Sequence, residues 1–117
     1  MDVDVLFAGV AVSDLESASA WYGRLFGRPP DVVVNDDEVM WGLADGGWLY
    51  LVRDARRAGR ALATICVANL DAALAELGGR GVATGPVEII GTAGRRSIVV
   101  DDDGNRLSVI EVHEAGG

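Results

Sequence analysis

Val12-Ser13-Asp14-Leu15-Glu16-Ser17-Ala18-Ser19-Ala20 and Val67-Ala68-Asn69-Leu70-Asp71-Ala72-Ala73-Leu74-Ala75 are two versions of one phrase, in register fifty-five residues apart. In each, a short apolar run meets a polar residue able to cap a helix, and an amphipathic segment follows. The chain therefore reads as one unit written twice, each copy opening strand then helix.

Working outward, residues 3–12 form a strand-length apolar run, and Ser13 or Asp14 caps a helix whose stripe is Leu15, Ala18, Trp21, Tyr22, Leu25 and Phe26. Gly27 is placed to end it, and Pro29-Pro30 cannot continue it. Residues 31–35 are a β-branched strand, and residues 38–44 and 48–53 form a hairpin across Asp45-Gly46-Gly47. Copy one is thus βαβββ over residues 1–53. A basic connector, 54–60, precedes copy two, 61–113. There residues 61–68 are a strand, and Asn69 caps a helix buried on Leu70, Ala73, Leu74 and Leu77 and closed by Gly78-Gly79. Residues 87–90, 96–101 and 106–112 complete a second βαβββ, with 113–117 expected to fray. The expected fold is a single α+β domain of two tandem modules.

The 117 residues are half hydrophobic, enough for a packed core. No apolar run is long enough to span a bilayer, and residues 1–12 lack a secretory signal's basic start and cleavage site, so a cytoplasmic protein with no membrane partner is expected. A net charge of −8 opposes binding to nucleic acid. The acidic runs Asp36-Asp37-Glu38 and Asp101-Asp102-Asp103 read as solvated turns. The lone Cys66 has no disulfide partner and no histidine in reach to activate it, and reads as a buried structural thiol.

The two-module pattern, with Val12-Ser13-Asp14-Leu15-Glu16 leading to Trp21-Tyr22 and Leu25-Phe26-Gly27, and the closing Asp101-Asp102-Asp103-Gly104-Asn105-Arg106-Leu107, resembles the glyoxalase, bleomycin-resistance and extradiol-dioxygenase superfamily, the vicinal oxygen chelate fold. The resemblance covers essentially the whole chain. It implies a curved mixed sheet rolled into a cup with helices on its outer face, a divalent metal in the cup, and pairing of chains into a homodimer. It places the metal ligands at Phe7, Tyr50, Leu62 and Ser108, which supply no imidazole or carboxylate. Glu111 falls on the opposite strand parity, and the single histidine, His113, follows the last strand. The expectation is no metal and no cofactor, with glyoxalase, dioxygenase and thiol-transferase chemistry disfavoured.

Strand parity anchored on those four positions lines the cup with Phe7, Gly9, Trp48, Tyr50, Leu62, Thr64, Cys66, Ser108 and Ile110, an aromatic and apolar surface with a few hydroxyls. The opposite parity, from Val10, Leu49 and Leu51 to Leu107 and Val109, suits the helix-covered layer. Trp21 belongs to the helix core, whereas Trp41 reads equally as a cup residue or a dimer-interface residue. Arg106 stands at the lip. Arg53, Arg56, Arg57 and Arg60 read as solvated, with closure over an acidic ligand as the other reading. The leading expectation is a metal-free binder of a planar or aromatic small molecule, resembling the antibiotic-sequestering members. A metal-independent lyase or isomerase using Tyr50, Ser108 or an acidic residue as acid or base, and a structural homologue with a filled cup, are the alternatives.

Overall fold

The computed structural model describes residues 1–113; of the expected frayed end, 114–117 lie outside the described residues. The order is β1 (Leu6–Val12), α1 (Leu15–Phe26), β2 (Val32–Asn35), β3 (Glu38–Ala44), β4 (Gly47–Arg53), β5 (Leu62–Cys66), α2 (Leu70–Gly79), β6 (Glu88–Ile90), β7 (Gly94–Val100) and β8 (Arg106–Val112). This is βαβββ twice. The repeated phrase acts as its chemistry demands: the Asp14 carboxylate accepts from the Ser17 N–H at 3.1 Å and the Asn69 amide oxygen from the Ala72 N–H at 3.0 Å. Each satisfies a donor that a helix start would otherwise leave free. Gly27, at φ 77°, ends α1 in the left-handed conformation.

Each module is a four-stranded mixed sheet, ordered β1-β4-β3-β2 and β5-β8-β7-β6. The first strand of each lies parallel to the last, and the remaining pairs are antiparallel. Register sorts the side chains by face. Val10, Leu49, Leu51 and Val39 of one sheet, and Leu107, Val109 and Val99 of the other, are buried with Tyr22, Leu25, Leu70 and Leu77 of the helices in one cluster drawn from both modules. The other faces stay open. Phe7 is 49% exposed and Leu62 83% exposed.

A buried polar node joins the modules. One oxygen of the Asp101 carboxylate accepts from the backbone N–H groups of Asp103 and Asn105 at 3.0 and 2.9 Å. The other accepts from the Tyr22 hydroxyl of α1 and from the Asn105 amide, both at 2.8 Å. Asn105 also donates to the Ala11 carbonyl in β1 and accepts from the Ala61 N–H, each at 2.9 Å. Alongside, Ser13 donates its N–H and hydroxyl to the Asp103 carboxylate at 3.0 and 2.5 Å. Arg80, just beyond α2, donates to the carbonyls of Arg24 and Leu25 at the end of α1.

This overturns the expectation that Asp101-Asp102-Asp103 is merely a solvated turn: Asp101 is buried and Asp103 is bonded across modules. It also explains why β7 stops at Val100, since the Asp101 side chain folds back on its own turn. Asp36 and Asp37 do form an exposed turn, with Asp37 paired to Arg53 at 2.5 Å, whereas Glu38 already belongs to β3 and is half-buried. Glu111 turns to the helix side, accepting from the Leu70 N–H at 3.0 Å. That backbone donor, assisted by Arg95, holds its carboxyl below the ordinary range. No helix among the described residues is long and apolar enough to cross a membrane.

Asn105→Ala should cost about 2–4 kcal/mol, because it orphans groups in both modules, and Tyr22→Phe about 1 kcal/mol, because the Asp101 oxygen keeps its Asn105 donor. Urea unfolding measures both, and equal losses would contradict this assignment. Burial, then the adjoining Asp101 carboxylate, pushes the Tyr22 phenol far above its ordinary value. In strong base the unfolded chain ionises this phenol while the folded chain keeps its proton. Stability is therefore retained below about pH 10 and falls as pH rises beyond it, with a slope that Tyr22→Phe reduces.

Candidate functional site

The open face of module one is an aromatic floor. On it Phe7 lies opposite Trp48 and Gly9 opposite Tyr50 across the β1–β4 pair, while Gly42 and Met40 of β3 continue the same rows. The Phe7 and Trp48 rings stack, with centroids 6.2 Å apart and planes 29° apart. Both larger rings lie down over glycine. A Cβ on Gly9 would sit 2.5 Å from the Tyr50 ring, and one on Gly42 would sit 3.0 Å from that of Trp48. Glycine is needed here for close approach, because any side chain would lift the ring it faces.

The open face of module two is mixed. Leu62 pairs with Arg106, Thr64 with Ser108 and Cys66 with Ile110 across β5–β8, and β7 adds Arg96 and Ile98 opposite Ile110 and Ser108. A cavity of about 470 Å³ at the seam of the sheets brings Trp48 together with Leu62, Thr64 and Cys66. A second, of about 310 Å³, gathers Leu62, Thr64, Ser108 and Arg106 with Arg96 and Ile98. Phe7, Tyr50 and Ile110 border neither cavity, although all three share the open parity. A larger hollow of about 650 Å³ lies against α1. Two of its arginines are already engaged, Arg28 with Asp31 and Arg80 with the carbonyls ending α1.

Trp41 belongs neither to the cup nor to an interface. It sits opposite Leu49 on the helix-covered parity, is fully buried, packs against Tyr22 and Phe26, and donates its indole N–H to the Arg28 carbonyl at 3.0 Å. Cys66 is exposed, contrary to the expected buried thiol, because it stands on the uncovered face of β5. Trp21 is core, as its helix stripe implies. Sequence reasoning missed Arg96 and Ile98, and the role of Gly42. The alternation Arg96-Ile98-Val100 carried that signal, but it needed the β7–β8 register to be read.

The four positions at which the fold's metal ligands fall, Phe7, Tyr50, Leu62 and Ser108, all face the open side. Phenyl, phenol, isobutyl and hydroxyl groups do not make a divalent-metal ligand set, so these residues do not fit the metal that the fold implies. Among the described residues, no three His, Cys, Asp or Glu side chains gather to replace them.

Two βαβββ modules, helices behind and open faces lining a hollow, define the vicinal oxygen chelate class. The chain belongs to the glyoxalase/bleomycin resistance protein family: it is 38% identical to a member from Catenulispora acidiphila, with TM-score 0.87 over 93% of this chain and 98% of that one. TnmS3, an antibiotic-binding protein from Streptomyces, is 26% identical at TM-score 0.74, over 93% of this chain and 95% of that one. A bleomycin-binding protein solved with bleomycin shares the fold at 19% identity and TM-score 0.74, over 94% and 99% of the two chains. No protein-family model and no curated protein matches the chain.

Trp21 and Trp41 are buried while Trp48 is partly exposed. Acrylamide quenching of tryptophan emission should therefore come chiefly from Trp48 and largely vanish in Trp48→Phe. Gly42→Ala should raise that quenching by tilting the indole off the sheet.

Proposed function

We propose that this protein is a metal-free small-molecule binder that holds a planar, aromatic ligand, an antibiotic or metabolite, in its cup. The observation that carries the reading is the floor of Phe7, Trp48 and Tyr50, two of whose rings lie over glycines. Flat rings at an open surface offer stacking area to a planar ligand. Thr64 and Ser108 supply hydroxyls that orient it. The donor set at the metal positions supports binding without a Lewis acid, and the 26% identity to an antibiotic-binding protein supports sequestration as the outcome. Sequestration requires affinity alone.

The active form in this reading is a cytoplasmic homodimer. Phe7 and Leu62 leave apolar surface uncovered on the open faces of both modules, and a second copy of the chain related by a two-fold axis would cover it. The floor of one chain and the hydroxyls of the other would then share a cup.

Titrating a panel of planar drugs, bleomycins and quinone antibiotics first, should quench Trp48 emission saturably. Tyr50→Ala and Trp48→Ala should each weaken binding about tenfold, the scale of losing one aromatic stacking partner. Silence across the panel would overturn the binding reading. Sedimentation equilibrium should give twice the chain mass, and a monomer at all concentrations would overturn the dimer.

A further inference from the structure

The module-two half of the open face carries polar groups that the protein itself leaves unused. Arg96 and Arg106 project from adjacent antiparallel strands on the same face, with the Thr64–Ser108–Ile98 row between them. Both arginines, Thr64 and Ser108 line the cavity of about 310 Å³. The Arg96 Nε is buried without a hydrogen-bond partner. Its guanidinium approaches Glu88 only at 3.7 Å, beyond hydrogen-bond range and with both side chains substantially exposed. Glu88 is the one carboxylate on the strands of this face. Among the described residues, Arg106 makes no side-chain hydrogen bond or ion pair, and neither the Thr64 nor the Ser108 hydroxyl has a protein partner.

Two guanidiniums, one of them only loosely paired with Glu88, and two hydroxyls line one cavity in a chain whose net charge is −8, a local exception to its electrostatics. A buried donor without an acceptor is costly, and a bound anion supplies acceptors to all four groups at once. A planar carboxylate matches the guanidinium fork and takes a hydroxyl donor on its remaining lone pairs. We propose that this cavity is a carboxylate subsite, held by Arg96 and Arg106 and oriented by Thr64 and Ser108, so that the ligand class is an aromatic acid with its ring system on the module-one floor. This rests on the ligand-binding reading above and narrows it from planar molecules to anionic ones.

The test compares naphthalene carboxylate with naphthalene methanol, the same ring with and without the charge, by calorimetric titration of the full-length protein. The carboxylate should bind at least about tenfold tighter, as charge-assisted hydrogen bonds require, and Arg96→Gln and Arg106→Gln should each remove most of that preference. Circular dichroism confirms that the variants fold. A readout that needs no variant is salt: raising ionic strength from about 20 mM to about 500 mM should weaken the carboxylate and leave the alcohol unchanged. Equal affinities for the two probes, or a preference that survives in both variants, would overturn the carboxylate subsite while leaving the aromatic cup standing. Failure of both probes to bind would overturn the subsite together with the reading beneath it.

Discussion

The buried carboxylate of Asp101 is the constraint around which the two modules assemble. A charge this deep is tolerated only when its lone pairs are filled, and here four donors fill them, two from its own turn, one from Asn105 and one from Tyr22 in the other module. Through Asn105 the same node fixes the Ala11 carbonyl near the end of β1 and the entry to β5. With those held, the first strand of each module lies beside the seam, and the cavity between the sheets takes its shape. The apolar cluster supplies most of the driving force, but it is non-directional. The polar node is what selects one relative placement of the modules.

Symmetry stops at this node. The position fifty-five residues after Tyr22 is Leu77, which is buried among apolar side chains and has no hydroxyl to give. A duplicated unit whose halves were equivalent would pair in either orientation. One tyrosine, one aspartate and one asparagine remove that ambiguity. The open faces have diverged in the same way, one into rings lying over glycine and the other into arginines and hydroxyls, so the two halves present different chemistry.

Much of this was legible in the residues. Helix starts were readable because capping is local: Asp14 and Asn69 each bond three residues onward. Parity was readable in β1, β4, β5 and β8, because a fixed period of two propagates from any anchored position. Trp41 was not, since β3 offers no anchor of its own and its face is decided by pairing with β4. Asp101 was not, because a run of three aspartates before glycine has the composition of a surface turn and its decisive partner lies 79 residues away. Arg96 stayed hidden for a similar reason, as its neighbours on the face come from other strands. What sequence conceals here is contact at long range.

Gly9 and Gly42 have one further consequence. The aromatic rings are the chemically conspicuous part of the floor, yet their tilt is set by residues that contribute no side-chain atoms. The headroom above the rings is thus encoded by missing methyl groups. Two positions without side chains can retune its relief, and drift there would alter which shapes the floor admits while every ring kept its identity.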